Sequence, residues 1–206
     1  MLSEVQTHMI ETVDQGATWS SGFWTAAEVI SYFNERQNRF MKETSLLYAQ
    51  MPVAGTAGNT EFTYPDHWVT TVRLSWKHDT RHMSIPRGSF WEADNAYPGW
   101  TTADRPKMYA DNEGPDTLSG HLIPAPNDDC ELSILYISIG AVLGNAGEIF
   151  TVPDEFVPYI KWGVIADMLN KIGRANDPIR AAYAEQRYQE GVIVAKALVH
   201  GWENPE

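Results

Sequence analysis

Few residues of this chain have the spacing of a catalytic or metal-binding site. His78 and His82 are four apart, which is the spacing of a metal-ligand pair on a helix. They flank a polar stretch, residues 77–81, that is typical of a hairpin turn. No Cys or third His is placed to complete a zinc site. We therefore interpret both side chains as exposed hairpin histidines.

A glycine-rich segment follows an apolar run and precedes a helical pattern, as a phosphate-binding loop would. Its glycines are Gly140, Gly144 and Gly147. Their spacing differs from G-x-G-x-x-G, and no Lys-Ser or Lys-Thr pair follows the last glycine. Glu148 would also repel a phosphate. The segment therefore predicts a loop without phosphate binding.

Four loop aspartates, Asp94, Asp104, Asp111 and Asp116, are the remaining candidates for chemistry. Such acids can form a calcium site or a glycosidase pair, but in a chain of net charge −12 scattered loop acids are usually solvated. The sequence has no G-x-S-x-G, H-E-x-x-H or C-x-x-C motif. We predict no catalytic residue, no metal and no cofactor, so the chain is not expected to be an enzyme. A hydrolase remains the alternative, and it requires two acids within roughly 5–10 Å in a cleft.

The C-terminal region carries the residue types of an interface instead. Tyr and Arg are enriched at protein interfaces. Tyr183, Arg187, Tyr188 and Trp202 are therefore the candidate subunit or partner contacts. Gly191 lies among them within a helical pattern, where it costs roughly 1 kcal/mol against Ala. A close helix crossing would explain that glycine.

Helical patterns lie at both ends of the chain. A first amphipathic helix is predicted over residues 3–14. A capping box, Thr25-Ala-Ala-Glu28, starts a second helix that is predicted to run from Ala26 to about Gln50, with a polar face that includes Gln37. A third helix starts at Pro153 or Pro158 and is capped by Gly173. Asp177 and Pro178 then start a last helix that continues to about residue 201.

The middle of the chain, residues 61–139, has the pattern of short strands. Apolar side chains alternate along residues 72–76, and Phe90 and Trp91 are assigned to a further short strand. The predicted fold class is α+β: a helical bundle formed by the N- and C-terminal helices, with a central antiparallel β insertion that forms a small sandwich or barrel. The predicted domains are residues 1–52 with 148–206, which are helical, and residues 53–147, the β insertion.

Composition limits the possible partners. A net charge of −12 argues against gripping a nucleic-acid backbone, which requires Lys and Arg, but it suits a wall along which DNA slides. No segment resembles a signal peptide or a membrane span, so a soluble chain without membrane contact is expected. Cys130 is the one cysteine, which excludes an intrachain disulfide and indicates a reducing compartment.

Three stretches resemble the adaptor, or head-to-tail connector, subunits of tailed phages. The first runs from Trp24 through Asn34 and Gln37 to Phe40. The second combines Pro106-x-x-Tyr109 with the Leu122-Ile-Pro-Ala-Pro126 turn. The third links Val152-Pro-Asp-Glu-Phe156, Asp177-Pro-Ile-Arg180 and Arg187-Tyr-Gln-Glu-Gly191.

The resemblance implies a virion structural protein made in the host cytoplasm and placed in the neck, between head and tail. Its implied partners are further copies of itself in a ring, commonly of about twelve, the portal protein, and tail or nozzle proteins. DNA would pass through the ring without specific binding. The alternative to this adaptor role is a Trp-rich β-sandwich module that recognises carbohydrate or another virion protein, with Trp91, Tyr97 and Trp100 as its stacking platform.

Overall fold

The computed structural model describes residues 4, 5, 8, 9, 23–78, 81–111, 119–145, 148–173 and 176–201. The chain divides into two compact units, each described separately below. We call residues 1–47 with 139–206 the helical unit and residues 48–138 the β unit. The predicted domain boundaries, after residues 52 and 147, stay predictions. The architecture is α+β, as predicted from the sequence.

The described residues form four helices and seven strands. The helices are α1 (Ala26–Thr44), α2 (Phe90–Ala96), α3 (Val157–Asn170) and α4 (Pro178–His200). The strands are β1 (Tyr48–Gly55), β2 (Glu61–Thr63), β3 (Trp68–His78), β4 (Arg81–Ile85), β5 (Met108–Asp111), β6 (Ser119–Ile123) and β7 (Cys130–Ser138). Among these residues, none of the helices is both long and apolar enough to span a bilayer.

Helix α1 begins where the capping box predicted. The Thr25 side chain accepts a hydrogen bond from Glu28 N, and the Glu28 carboxylate accepts one from Thr25 N. The predicted end near Gln50 was wrong. The helix stops at Thr44 because Ser45 takes a left-handed conformation, with φ 54°, and the chain then enters β1.

The helical unit is built from α1, α3 and α4 around one apolar core. Eight of the fourteen residues of helix α3 are buried, and the aromatic rings of Phe40, Phe156 and Tyr188 meet between the helices. Helix α3 begins at the later of its two possible starts, at Val157. Gly173 does not cap it, since the C-cap is Lys171. The predicted helix over residues 3–14 lies mostly outside the described residues, although Glu4, Val5 and His8 are helical.

The β unit holds two antiparallel sheets, which do not close into a barrel. One has the strand order β1-β7-β3-β4 and the other β2-β6-β5. Strand β7 has an alternating burial pattern, with Leu132, Ile134 and Tyr136 buried between less buried neighbours. Pro52 fits within β1 because β1 is an edge strand and lacks a second partner.

Both sheets contribute to one hydrophobic cluster, which agrees with a small sandwich. Phe62 and Leu122 come from the three-stranded sheet, and Leu74, Trp76 and Leu132 come from the four-stranded sheet. The hairpin predicted around residues 77–81 is present, with His78 opposite Arg81 in the β3–β4 ladder.

The assignment of Phe90 and Trp91 to a strand was wrong. They begin helix α2, which is started by a capping box between Ser89 and Glu92. That signal is present in the sequence as Ser-x-x-Glu. A run of large aromatic side chains obscured it, because such residues are also typical of strands.

Candidate partner-binding surface

Helix α4 carries the predicted interface residues, and local sequence determines both of its ends. The Asp177 side chain accepts a hydrogen bond from Arg180 N at 3.0 Å, and Pro178 occupies the first turn. Gly201 takes a φ of +77° at the C-cap. The helix therefore begins and ends as its capping residues predicted.

The buried side of α4 packs closely against α3. Its buried residues are mostly small: Ala181, Ala184, Tyr188, Gly191, Val192 and Ala195. A Cβ at Gly191 would lie 2.3 Å from Tyr159 Cγ, on α3. The predicted close helix crossing at Gly191 is therefore confirmed.

The opposite side of α4 carries further apolar side chains, which face solvent in this chain. We call it the outer face of α4. The exposed fractions are 83% for Ile179, 50% for Tyr183, 62% for Ile193, 45% for Val194 and 70% for Leu198. Exposed apolar groups that line one side of a helix mark an interaction surface more often than single ones do.

Tyr183 and Arg187 form a hydrogen-bonded pair on this outer face. Arg187 donates from Nε to the Tyr183 hydroxyl at 3.0 Å and from Nη1 to Glu190 Oε2 at 2.9 Å. The Tyr183 ring also contacts Trp162 edge-on, at 5.9 Å between centroids. Two predicted interface residues therefore lie side by side.

Tyr188 does not share that surface, and its predicted exposure is corrected. Its side chain is fully buried, because position 188 lies on the side of α4 that faces α1 and α3. Burial, followed by the nearby Glu43 charge, raises the pKa of the Tyr188 phenol above its usual value. Trp202 lies outside the described residues, so its interface role stays a prediction.

A buried ion cluster joins the three helices behind the outer face. Arg36, on α1, is 5% exposed and donates two hydrogen bonds of 2.6 Å to the Asp167 carboxylate on α3. Its Nη1 lies 2.7 Å from Glu185 Oε2 on α4, an ion pair outside hydrogen-bond geometry. The guanidinium also lies 4.9 Å from the Tyr188 ring centroid.

The electrostatics of this cluster keep Arg36 charged. Burial disfavours the guanidinium cation, but the hydrogen bonds that Arg36 donates to Asp167 and the negative charges of Asp167 and Glu185 raise the pKa of Arg36 above its usual value. A bidentate Arg–carboxylate pair also fixes geometry, because two parallel bonds define one orientation. The cluster therefore orients α1 against α3 through the Arg36–Asp167 pair, and it adds an ion pair from Arg36 to Glu185 on α4.

Two amides of α1 anchor the glycine-rich segment. Asn34 exchanges hydrogen bonds with the backbone of Leu143, at 2.9 and 2.7 Å. Gln37 donates to Ala141 O at 2.9 Å and accepts from Thr151 N at 3.3 Å. Gln37 is fully buried, so its predicted place on a solvated face was wrong.

The anchored segment presents a second exposed apolar surface. Val142 is 65% exposed and Ile149 is 87% exposed. Gly140 leaves no room for a side chain, because a Cβ there would lie 2.4 Å from Gln37 Nε2. The Glu148 carboxylate accepts a hydrogen bond from Gly144 N at 2.7 Å, so this backbone N–H is already bonded to a carboxylate of the chain itself. Gly147 lies outside the described residues.

The acidic candidates for chemistry are separately engaged. Asp94 accepts from Trp100, Asp104 pairs with Lys107, and Asp111 is buried and accepts from the Tyr64 hydroxyl. Asp116 and the side chains of His78 and His82 lie outside the described part. Within the residues described, no three His, Cys, Asp or Glu side chains are grouped as metal ligands.

Burial raises the pKa of the Cys130 thiol, and the Asp129 charge adds to this effect. The thiol is therefore a poor nucleophile at neutral pH.

Comparison with known protein families identifies the class. The family model described as SU10 adaptor protein matches residues 1–201. No curated protein matches the chain. The chain is therefore a phage adaptor, a structural component of the virion. Within that class, it belongs to the SU10 adaptor protein family.

Proposed function

We propose that this adaptor is the subunit of a closed ring, of about twelve copies, that joins the portal to the tail in the virion neck. The outer face of α4 carries this proposal. It is apolar over several turns, and its central pair, Tyr183 and Arg187, has the residue types that dominate interface energetics. Its occupant in the ring is a second copy of the chain.

A head-to-tail ring needs two different, complementary surfaces on each subunit. The helical unit has a second apolar surface at Val142 and Ile149, on an element other than α4. In the proposed ring the outer face of α4 contacts this segment of the neighbouring copy. The Arg36 ion pairs and the hydrogen bonds from Asn34 and Gln37 hold the described residues of these two elements within one chain, so we expect little conformational entropy to be lost on contact.

The charge of the chain supports a role in DNA passage. Each copy carries a net charge of −12, and every further copy in a ring adds the same charge. An acidic lining repels phosphates, so that DNA moves through without being held. The β unit is then free to contact tail or nozzle proteins.

Assembly on the portal tests the proposal. Purified full-length chain is mixed with the portal protein of the same phage, and the complexes are weighed by mass photometry and imaged by negative-stain electron microscopy. We expect closed rings whose added mass is a multiple of 23.2 kDa. A chain that stays monomeric with the portal, and that is absent from purified virions, would refute the proposal.

Two charge substitutions test the pairing of surfaces. Ile193→Glu on the outer face and Ile149→Glu on the anchored segment should each prevent ring closure, since both side chains are exposed and their replacement leaves the fold intact. The matched control is Trp91→Glu, an equally exposed apolar residue of the β unit, which should still assemble.

Mixing the two variants separates a head-to-tail contact from a symmetric one. Each variant keeps the surface that the other has lost, so an equimolar mixture should give capped dimers rather than rings. If Ile149→Glu assembled normally by itself, the outer face would pair with another surface and this part of the proposal would be wrong.

A further inference from the structure

The β unit contains a pocket that lies outside the two surfaces proposed for ring contact. Its volume is about 470 Å³, within the size range of small-ligand sites. The lining residues that matter here are Tyr97, Trp100, Thr102, Asp104, Lys107 and Pro124. Two aromatic rings and two oppositely charged groups therefore face one concave space.

Backbone hydrogen bonds shape one wall of the pocket in advance. Trp100 N donates to Tyr97 O at 2.9 Å, and Thr102 N donates to Gly99 O at 3.0 Å. Gly99 has a φ of +98°, a conformation that favours glycine. Consecutive turns thus hold the aromatic wall without a ligand.

A second wall is held against β6 and the residues after it. Asp104 N donates to Ala125 O at 2.9 Å, and Lys107 N donates to Ile123 O at 2.8 Å. The two charged side chains therefore project from a fixed backbone. A site fixed in this way loses little conformational entropy when it binds.

Trp100 is oriented by two neighbours. Phe90 stacks on its indole at 5.6 Å between centroids, with an angle of 30° between the rings. Its Nε1 donates to Asp94 Oδ1 at 2.8 Å. Trp100 lines the pocket, whereas Phe90 is not among its lining residues. A fixed aromatic surface of this kind accepts the apolar C–H face of a sugar ring.

The charges in the pocket cancel each other. Lys107 Nζ lies 3.2 Å from Asp104 Oδ2 and 5.4 Å from the Tyr97 ring centroid. The backbone N–H of Arg105, together with Lys107, holds the pKa of Asp104 below its usual value, so the carboxylate stays an acceptor over a wide pH range. One donor and one acceptor without net charge suit a neutral, hydroxyl-rich ligand better than an ionic one.

We propose that this pocket binds a short neutral saccharide. The sugar ring would stack beside Trp100 and Tyr97, and its hydroxyls would bond Asp104, Lys107 and Thr102. Trp91 is 73% exposed but does not line the pocket, so it is not part of this site. The proposal does not depend on ring assembly, because every lining residue belongs to the β unit of one chain.

Saturation-transfer difference NMR on the full-length chain tests the site, with cellotetraose, maltotetraose and chitotetraose as probes. At least one probe should bind, and Asp104→Asn and Trp100→Ala should each weaken binding about tenfold or more. Trp91→Ala is the matched control and should bind as the wild type does. Circular dichroism checks that each variant is folded, and the exposed Asp104→Asn variant keeps the test valid if Trp100→Ala unfolds.

Three results would overturn the proposal. The first is that none of the probes binds at millimolar concentration. The second is binding that Asp104→Asn leaves unchanged or that Trp91→Ala abolishes. The third is exclusive binding of a proline-rich peptide, tested with decaproline, which would make the aromatic wall a peptide site instead. None of these results bears on the assembly experiments, so the two proposals fail independently.

Discussion

Replacing Arg36 by Met should lower the free energy of unfolding of the helical unit by about 3 kcal/mol. Met keeps most of the side-chain volume and removes the charge. The Asp167 and Glu185 carboxylates then face each other across the space that the guanidinium filled, without a counter-charge.

The magnitude follows from the exposure of the three partners. Removing one partner of a fully buried ion pair costs about 3–5 kcal/mol, because the other charge is left unpaired and dehydrated. Here the Arg36 side chain is 7% exposed, but Asp167 is 27% and Glu185 33% exposed. Water can therefore rehydrate part of each carboxylate, which places the expected cost at the lower end of that range.

Urea unfolding followed by far-UV circular dichroism measures this cost, because helical signal reports on the helical unit. Lys42→Met is the matched control: Lys42 lies on the same helix and is exposed, so its loss should cost about 1 kcal/mol or less. Equal destabilisation by Arg36→Met and Lys42→Met would refute the reasoning that the cluster around Arg36 joins the helices.

Two further substitutions test the packing and the cap. Gly191→Ala should destabilise the chain by about 1–3 kcal/mol in the same urea experiment, because the added Cβ would overlap the Tyr159 ring. This loss is expected although Ala is the better helix former. Stabilisation by Gly191→Ala would show that α3 and α4 can separate without cost. Glu28→Gln should lower the free energy of unfolding by up to about 1 kcal/mol at pH 7, because the hydrogen bond from Lys171 and then that from Thr25 N hold the pKa of Glu28 below its usual 4.5. The loss is small because the site is largely exposed. A lowered folded-state pKa adds stability above the unfolded pKa and loses it as the pH falls, so the difference from wild type should shrink as the pH falls below 4.5. A difference independent of pH would show that the carboxylate charge is irrelevant.

The sequence predicted the elements whose signals are local. Thr25 and Glu28 fixed the start of α1, and Asp177 with Pro178 fixed that of α4, because capping depends on residues within one turn. The end of α1 was mispredicted, since Leu47 continues the helical spacing while residues 48–55 pair with a strand more than seventy positions later. A local sequence pattern does not indicate strand pairing over such a distance along the chain.

The candidate surface was predicted only in part for the same reason. Tyr183 and Arg187 were found from residue type, and both lie on the outer face of α4. The burial of Tyr188 and the cluster around Arg36 depend on where three helices meet. Asp167 is 131 positions from Arg36, so no spacing rule connects them.

Crosslinking at position 193 tests most directly the claim that copies join through the outer face of α4. A benzophenone side chain replaces Ile193, which is 62% exposed, and the chain is irradiated after assembly on the portal. The account predicts a crosslinked dimer, twice the 23.2 kDa of one chain, whose crosslink maps to residues 139–151 of the neighbouring copy. A crosslink that forms only to the portal, or the absence of any crosslink in assembled rings, would contradict it.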